Sequence, residues 1–431
     1  MNAHDMNGRG LHFIAIGGAG MSGLALVAHR RGASVTGSDR AESSYTERLR
    51  AAGLEPWIGH DASRVPAGAD VVISTAIPPD NPELVVARER GQRVLHRGEL
   101  LAELCAAGRL IAVAGTHGKT TTTGMLVWAM RSIGEDPTFF IGGELPGVAD
   151  DGGPANAGSG VGEWVIAEAD ESDASFLSLR PEIAVVTNVE LDHHARWSSR
   201  AELEAAFSRF CDPAKGVVLG PGVGLGVPDA VERFDEGVPG PGELALAVPG
   251  RHNVLNARAA LAAVGLAGLD QDAAAAGLGD FPGMLRRQEL RGECSGARIY
   301  DDYAHHPTEV RATLEALREL EPERLIAIFQ PHLYSRTRAL ADEFGAALAA
   351  ADEIGVLDVY AAREEPVAEN AGVSGLDVAR AAAQRAAGRP VMWLRDLETA
   401  RAVLAPRLRG GDLLVTIGAG DVYRLAEDLV G

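Results

Sequence analysis

Cysteine is scarce in this 431-residue chain, where Cys105, Cys211 and Cys294 stand far apart and form no C-x-x-C pair. An odd, scattered set excludes a disulfide framework and a zinc knuckle, and it reads as reduced thiols in a cytosolic protein. Long apolar runs are also missing. No stretch approaches the ~18 uninterrupted apolar residues of a membrane span, and polar residues 1–10 contain no signal-peptide core. The expectation is a cytoplasmic protein without membrane insertion. Basic residues are the third shortage: 40 Lys and Arg face 60 Asp and Glu, a formal charge of −20. Non-specific binding to nucleic acid or to an anionic membrane would work against repulsion, so no nucleic-acid partner is expected. Any anionic ligand must be held by local groups.

What is present is the composition of an ordinary globular protein, 46% hydrophobic and 23% charged, with 52 glycines. That glycine content suits many tight βα turns or close backbone approaches to a ligand. At about 150 residues per domain the length suggests three domains. Short apolar runs at 12–16, 33–37 and 70–74 alternate with helical patterns, and the rhythm restarts at 110–114, with further strands at 164–167 and 183–187. It restarts again at 325–329, followed by 354–357, 391–394 and 413–417. A βαβ rhythm implies parallel sheets. The fold class expected is α/β in three consecutive domains: residues 1–107 Rossmann-like, 108–295 a P-loop domain, and 296–431 Rossmann-like. Residues 216–250 are rich in Gly and Pro and read as turns and short strands.

Two glycine-rich turns carry the first chemical signals. Gly18, Ala19, Gly20, Met21, Ser22 and Gly23 fit G-x-G-x-x-G directly after a strand, and Asp39 ends the next strand, where a ribose hydroxyl acceptor would sit. Close backbone approach and a helix N-terminus suit any diphosphate, a nucleotide-sugar included. Gly115, Thr116, His117, Gly118, Lys119, Thr120 and Thr121 form the second turn, between an apolar strand and a helix-compatible run at 125–131. Its N–H groups would cradle phosphates, Lys119 would meet the β/γ bridge, and the Thr120 hydroxyl would ligate Mg2+. Val113 stands where a full-length P-loop has its first glycine.

Metal ligands are expected at neighbouring strand ends, and acids do follow two of them: Glu168 to Asp173, and Asn188 to His194. In the last third, residues 301–308 and 329–338 are clusters of acid, aromatic, histidine and arginine residues at strand ends. Adjacent histidines suit acid–base chemistry, and Arg336 and Arg338 suit a carboxylate or phosphate.

Together the motifs GGAGMSG, GTHGKTTTT, EADESDASF, TNVELDH, PGRHNVLNA, DDYAHHPTE, FQPHLYSRTR and GAGD resemble the Mur ligase family, in order and over residues 12 to 421. The resemblance implies a UDP-binding first domain, a central ATPase and an amino-acid-binding third domain. The implied reaction uses ATP and Mg2+ to join L-alanine to the lactyl carboxylate of UDP-N-acetylmuramate through an acyl phosphate, in peptidoglycan precursor synthesis. Gly18 to Ser22 and Asp39 would serve the UDP substrate. Residues 115–121, with Lys119 on the β/γ-phosphates, and also Asn253 and Arg287 would serve ATP. Thr120, Glu168 and His193 would hold metal; Tyr303, His305 and Arg336 would surround the amino acid. Lys119, His193, His305 and Arg336 are the implied catalytic set, and a monomer or weak homodimer is the expected assembly. Two departures stand out. Leu333 occupies a position where some relatives carry Arg, and the region after Phe210 lacks an aromatic-Tyr-Gly segment. Rival readings are a ligase that attaches a recycled peptide to UDP-N-acetylmuramate, an NAD-dependent oxidoreductase built on Gly18 to Gly23, and a non-catalytic nucleotide-binding module.

Overall fold

The computed structural model describes residues 6–191, 196–227, 231–234, 244–362 and 364–431. It contains three sheets, each flanked by helices. The first is built from β1 (Gly10–Ile14), β2 (Ser34–Asp39), β3 (Trp57–Ile58), β4 (Asp70–Ile73) and β5 (Val94–His96) in the order β3-β2-β1-β4-β5, all parallel. β1 is buried along almost its whole length, which is why it reads as a continuous apolar run rather than an alternating one.

The second sheet comprises β6 (Arg109–Ala114), β7 (Thr138–Leu145), β8 (Ala155–Gly158), β9 (Trp164–Glu168), β10 (Ile183–Val186), β11 (Gly216–Leu219) and β12 (Val231–Arg233). Its order is β12-β11-β10-β6-β9-β7-β8, and only the edge strand β8 runs antiparallel. A continuous core joins the first two sheets, from Leu11 and Phe13 through Leu100, Phe140 and Ala157 to Phe176 and Phe207. The two sheets accordingly fall in one compact unit, residues 1–246 with 254–282.

The third sheet lies in a second unit, residues 247–253 with 283–431. Its strands are β13 (Glu289–Cys294), β14 (Ala297–Asp302), β15 (Arg324–Phe329), β16 (Glu353–Val356), β17 (Val391–Trp393) and β18 (Asp412–Ile417), in the order β13-β14-β18-β15-β16-β17. β13 is the one antiparallel member. The two residues between β13 and β14, Ser295 and Gly296, both have positive φ (52° and 79°), the conformation that lets a two-residue turn match the twist of an antiparallel pair. Apolar layers cover both faces, one around Phe329, Phe344 and Val415, the other around Ile299, Ile328 and Leu425.

Every strand expected from an apolar run is present within a residue or two. Parallel strands put their C-terminal ends on one edge, so the turn at Gly18, Asp39, the turn at 115–118, Glu168 and the 187–190 segment all lie at C-terminal edges of their sheets.

Candidate active site

β6 ends at Ala114 and the chain turns through four residues into the helix Lys119–Ser132. Glycine is required twice. Gly115 has φ +128° and Gly118 φ +82°, and a Cβ would meet Thr187 Oγ1 at 2.1 Å or Asn256 Oδ1 at 2.6 Å. Gly118 caps the helix without offering a side-chain acceptor, so the first-turn N–H groups suit an anion. The segment after β10 braces the turn. Thr116 Oγ1 donates to Glu190 O (2.8 Å) and accepts from Glu190 N (2.9 Å), while His117 N donates to Asn188 Oδ1 (2.9 Å).

Lys119 Nζ donates to the carbonyls of Gly115 (2.7 Å) and Thr116 (3.1 Å), and lies 2.9 Å from Oε2 of the buried Glu171. Thr120 Oγ1 donates to Glu168 Oε1 (3.0 Å), and Gly142 N donates to Glu168 Oε2 (2.6 Å). Burial acts to lower the Lys119 pKa, but Glu171, Asp170 and Glu168 outweigh it and hold the ammonium above its usual range. Burial pushes the Glu168 carboxyl up, against the opposing pull of Lys119 and the Gly142 N–H. Asp170 goes the other way, because Lys119, the Ser172 N–H and Arg97 overcome its desolvation.

This inventory fits a nucleotide with a divalent ion. Thr120 and Glu168 form a hard-oxygen donor pair at the loop mouth, and the carboxylates of Asp170, Glu171 and Asp173 cluster beside them with the cations Lys119 and Arg97. A buried carboxyl with a raised pKa is the group such an ion would hold ionised. His193, the other expected ligand, lies outside the described residues.

The first glycine-rich turn opens the helix Ala19–Arg30, whose cap, Gly18, again provides no side-chain acceptor. Asp39 Oδ2 accepts from Gly17 N (2.8 Å), so this acid orders the turn whether or not it also meets a ribose. Beside the turn a cleft of about 210 Å3 is lined by Gly20, Arg97, Gly142, Asn156, Glu168 and Asp170, among others. Ala19 and Gly20 of the turn and Glu168 at the end of β9 therefore line one cavity.

The second unit gathers the remaining expected residues. Tyr303 lies under two guanidinium groups, Arg286 at 5.0 Å and Arg287 at 5.2 Å from its ring centre. Its ring meets His305 edge-on (5.6 Å), His305 meets His332 (6.3 Å), and His332 stacks on Tyr360 (5.8 Å). Arg336 Nη1 is 3.5 Å from His332 Nδ1. Burial, then Arg336, push the His332 imidazole down to about 4, so it is neutral at pH 7. Asn253 Nδ2 donates to Pro249 O (2.7 Å) and to Gln288 Oε1 (3.2 Å), one residue from Arg287. Burial raises the adjacent Asp302 to about 6, although Arg287 and the N–H groups of Ala304 and Gln288 oppose it. Leu333 caps the helix Tyr334–Leu348 with φ +72°, an unusual backbone for a branched residue.

The expected residues thus form two groups, 18–22, 39, 115–121 and 168 in one unit and 253, 287, 303, 305 and 336 in the other. Residues 10–109 match the Mur ligase family, catalytic domain; residues 113–219 match the Mur ligase middle domain; and residues 286–420 match the Mur ligase, glutamate ligase domain. A UDP-N-acetylmuramate–L-alanine ligase of Kineococcus radiotolerans is 46% identical over 97% of this chain and 95% of its own. The chain belongs to the Mur ligase family. Two solved structures are also similar. The UDP-N-acetylmuramate-alanine ligase of Thermotoga maritima has TM-score 0.81 and 27% identity, covering 97% of this chain and 98% of its own. A murein peptide ligase of Psychrobacter arcticus has TM-score 0.69 and 25% identity, covering 98% of each chain.

Sequence reasoning left three site residues of this Mur ligase without a role. Glu171 was one of a run of acids with nothing to single it out; its contact with Lys119 comes from the adjacency of β6 and β9. His332 sits inside a quoted motif, but its tie to His305 depends on β14 and β15 both flanking β18. Arg97, at a helix start, carried no signal at all.

Proposed function

We propose that this Mur ligase joins L-alanine to the lactyl carboxylate of UDP-N-acetylmuramate, with ATP converted to ADP and phosphate, in the cytoplasmic synthesis of peptidoglycan precursors. The observation that carries the chemistry is the convergence of Lys119, Thr120 and Glu168 at one helix N-terminus. The choice of L-alanine is supported by the likeness to the Kineococcus and Thermotoga ligases. The lower TM-score of the murein peptide ligase gives the recycling alternative less support. Among the described residues no helix is long and apolar enough to cross a membrane.

In this reading the turn at Gly18 to Ser22 takes the diphosphate of the nucleotide-sugar, and residues 115–121 take the phosphates of ATP. Lys119 leaves its loop carbonyls to meet the β- and γ-phosphates, where its charge offsets that developing on the transferred group. Thr120 and Glu168 hold Mg2+, which supplies charge neutralisation at the phosphates. Phosphoryl transfer to the lactyl carboxylate gives an acyl phosphate; attack by the alanine amine forms the amide and releases phosphate. Asn253 and Arg287 are the further nucleotide contacts that the family resemblance implies, and Arg336 pairs with the alanine carboxylate. His305, hydrogen-bonded through Nδ1 to Tyr303 O at 3.2 Å, is the candidate to take the ammonium proton. The test is phosphate release with each substrate omitted in turn. Sustained release is expected only when ATP, Mg2+, UDP-N-acetylmuramate and L-alanine are all present; equal release without alanine would overturn the assignment.

A further inference from the structure

The cleft beside the first glycine-rich turn holds a cation that the reaction as described leaves without a task. Arg97 is the first residue of the helix Arg97–Cys105. Its Nη2 lies 3.2 Å from both Asp170 Oδ2 and Asp173 Oδ2, acids of the loop that follows Glu168 and also carries Glu171. Its Nη1 faces the turn instead, so close that a Cβ on Gly20 would meet it at 3.2 Å. A larger residue at position 20 would push the guanidinium aside. The helix start is itself wedged against the acidic loop, since a Cβ on Gly98 would meet Ser175 Cβ at 2.3 Å. The guanidinium is thus fixed in place by packing and by two acids, yet its side chain stays 24% exposed, and among the described residues Nε and Nη1 donate to nothing.

Its position matters more than its charge alone. In one cavity, Gly20 marks the end where a diphosphate would rest, Glu168 marks the metal edge, and Arg97 lines the wall with both. An acyl acceptor must bring a carboxylate from the sugar, which follows the diphosphate, to the γ-phosphate at that metal edge. The surrounding acids would repel such a carboxylate. We propose that Arg97 is the residue that receives the lactyl carboxylate of the nucleotide-sugar substrate, with Asp170 and Asp173 as the posts that hold its guanidinium in place. A guanidinium can do both at once because its five donors form a planar fork, of which only the Nη2 pair is shared with the acids.

The proposal rests on the reading of UDP-N-acetylmuramate as substrate and goes beyond it in naming the group that recognises the feature reacting. It predicts a specificity rather than a general loss. UDP-N-acetylglucosamine has the same nucleotide, diphosphate and amino sugar but no lactyl carboxylate. The experiment is calorimetric binding of both nucleotide-sugars, and of ADP, to the intact protein and to Arg97→Met and Arg97→Lys. The wild-type protein is expected to prefer UDP-N-acetylmuramate. Arg97→Met should lose on the order of 10- to 100-fold in affinity for it, with UDP-N-acetylglucosamine and ADP affinities unchanged. Arg97→Lys keeps the charge without the fork and should show an intermediate preference, a result readable even if the Met variant fails to fold. Equal loss for both nucleotide-sugars would make Arg97 a diphosphate contact or a packing residue and overturn the proposal, as would an unchanged preference in both variants. A wild-type protein that binds ADP but not UDP-N-acetylmuramate would instead overturn the substrate reading itself.

Discussion

Lys119 Nζ lies 2.9 Å from Oε2 of Glu171, a side chain that is 1% exposed. The ammonium is therefore held by a buried counter-ion and by two carbonyls of its own loop. In the proposed reaction, nucleotide binding would exchange one set of anions for another, with the lysine charged in both.

Two substitutions separate the halves of that exchange. Lys119→Ala is expected to reduce turnover on the order of 10²-fold or more while leaving UDP-N-acetylmuramate affinity unchanged. Glu171→Gln should do something different: with the competing carboxylate gone, ADP should bind several-fold tighter, while the nucleotide-free protein melts at a lower temperature because a buried cation has lost its partner. Thermal melts with and without ADP, beside steady-state rates, check both. Wild-type turnover in Lys119→Ala would remove the loop from the chemistry.

In the proposed reaction Glu168 is a ligand to Mg2+. Its pKa is raised above the ordinary carboxyl value, mainly by burial, and the form that would bind Mg2+ is the ionised one. Mg2+ affinity should therefore weaken as pH falls toward that raised pKa. In the metal-free protein the sign is the reverse: the contribution of this group to stability is present below its unfolded pKa and is lost as pH rises through the folded one. Glu168→Gln should raise the Mg2+ concentration needed for half-maximal rate and flatten the pH dependence of Mg2+ binding. Activity curves against Mg2+ that overlay wild type would make the strand end structural.

Much of this was legible in the sequence, for physical reasons that differ by residue. β6 and the loop after it announce themselves because a buried parallel strand is uniformly apolar and a phosphate loop needs glycine where φ is positive. The helix Lys119–Ser132 starts six residues before the apolar run that signals it, since its first turn is built from threonines with low helix propensity. β7 and β8 do not announce themselves, because Gly142, Gly143 and the Gly-Asp-rich stretch at 150–153 interrupt the apolar pattern; strand pairing overrides that. Arg97 escaped because its partners, Asp170 and Asp173, are 73 and 76 residues away, and an arginine opening a helix looks like any solvated one.

The third domain can be tested by its separation from phosphoryl transfer. Arg336→Ala should raise the L-alanine requirement many-fold, since a charge-assisted contact to a carboxylate is lost, yet leave carboxylate phosphorylation intact. Positional exchange of the β,γ-bridging oxygen in labelled ATP, measured with UDP-N-acetylmuramate and without alanine, reads that first step. Exchange retained beside poor amide formation is the expected result; loss of both would move Arg336 to phosphoryl transfer.

The histidines of the second unit give a pH signature. Burial, then the neighbouring Arg336 or Arg287, pushes His332 and His252 each down to about 4 from an ordinary value of 6.5. The fold thus disfavours their charged forms, and stability present above pH 6.5 is lost as pH falls toward 4. His332→Gln should lessen that loss relative to wild type, measured as the difference in melting temperature across the window. A difference independent of pH would show that His332 is not held neutral by its surroundings.

The central claim is amide synthesis from a nucleotide-sugar carboxylate and a free amino acid, and mass analysis of a single incubation tests it most directly. The protein is mixed with ATP, Mg2+, UDP-N-acetylmuramate and an equimolar pool of amino acids and peptides. The expected product is UDP-N-acetylmuramate extended by one alanine, formed in step with ADP and phosphate. A peptide adduct as the main product, or nucleotide consumption without any amide, would contradict the account.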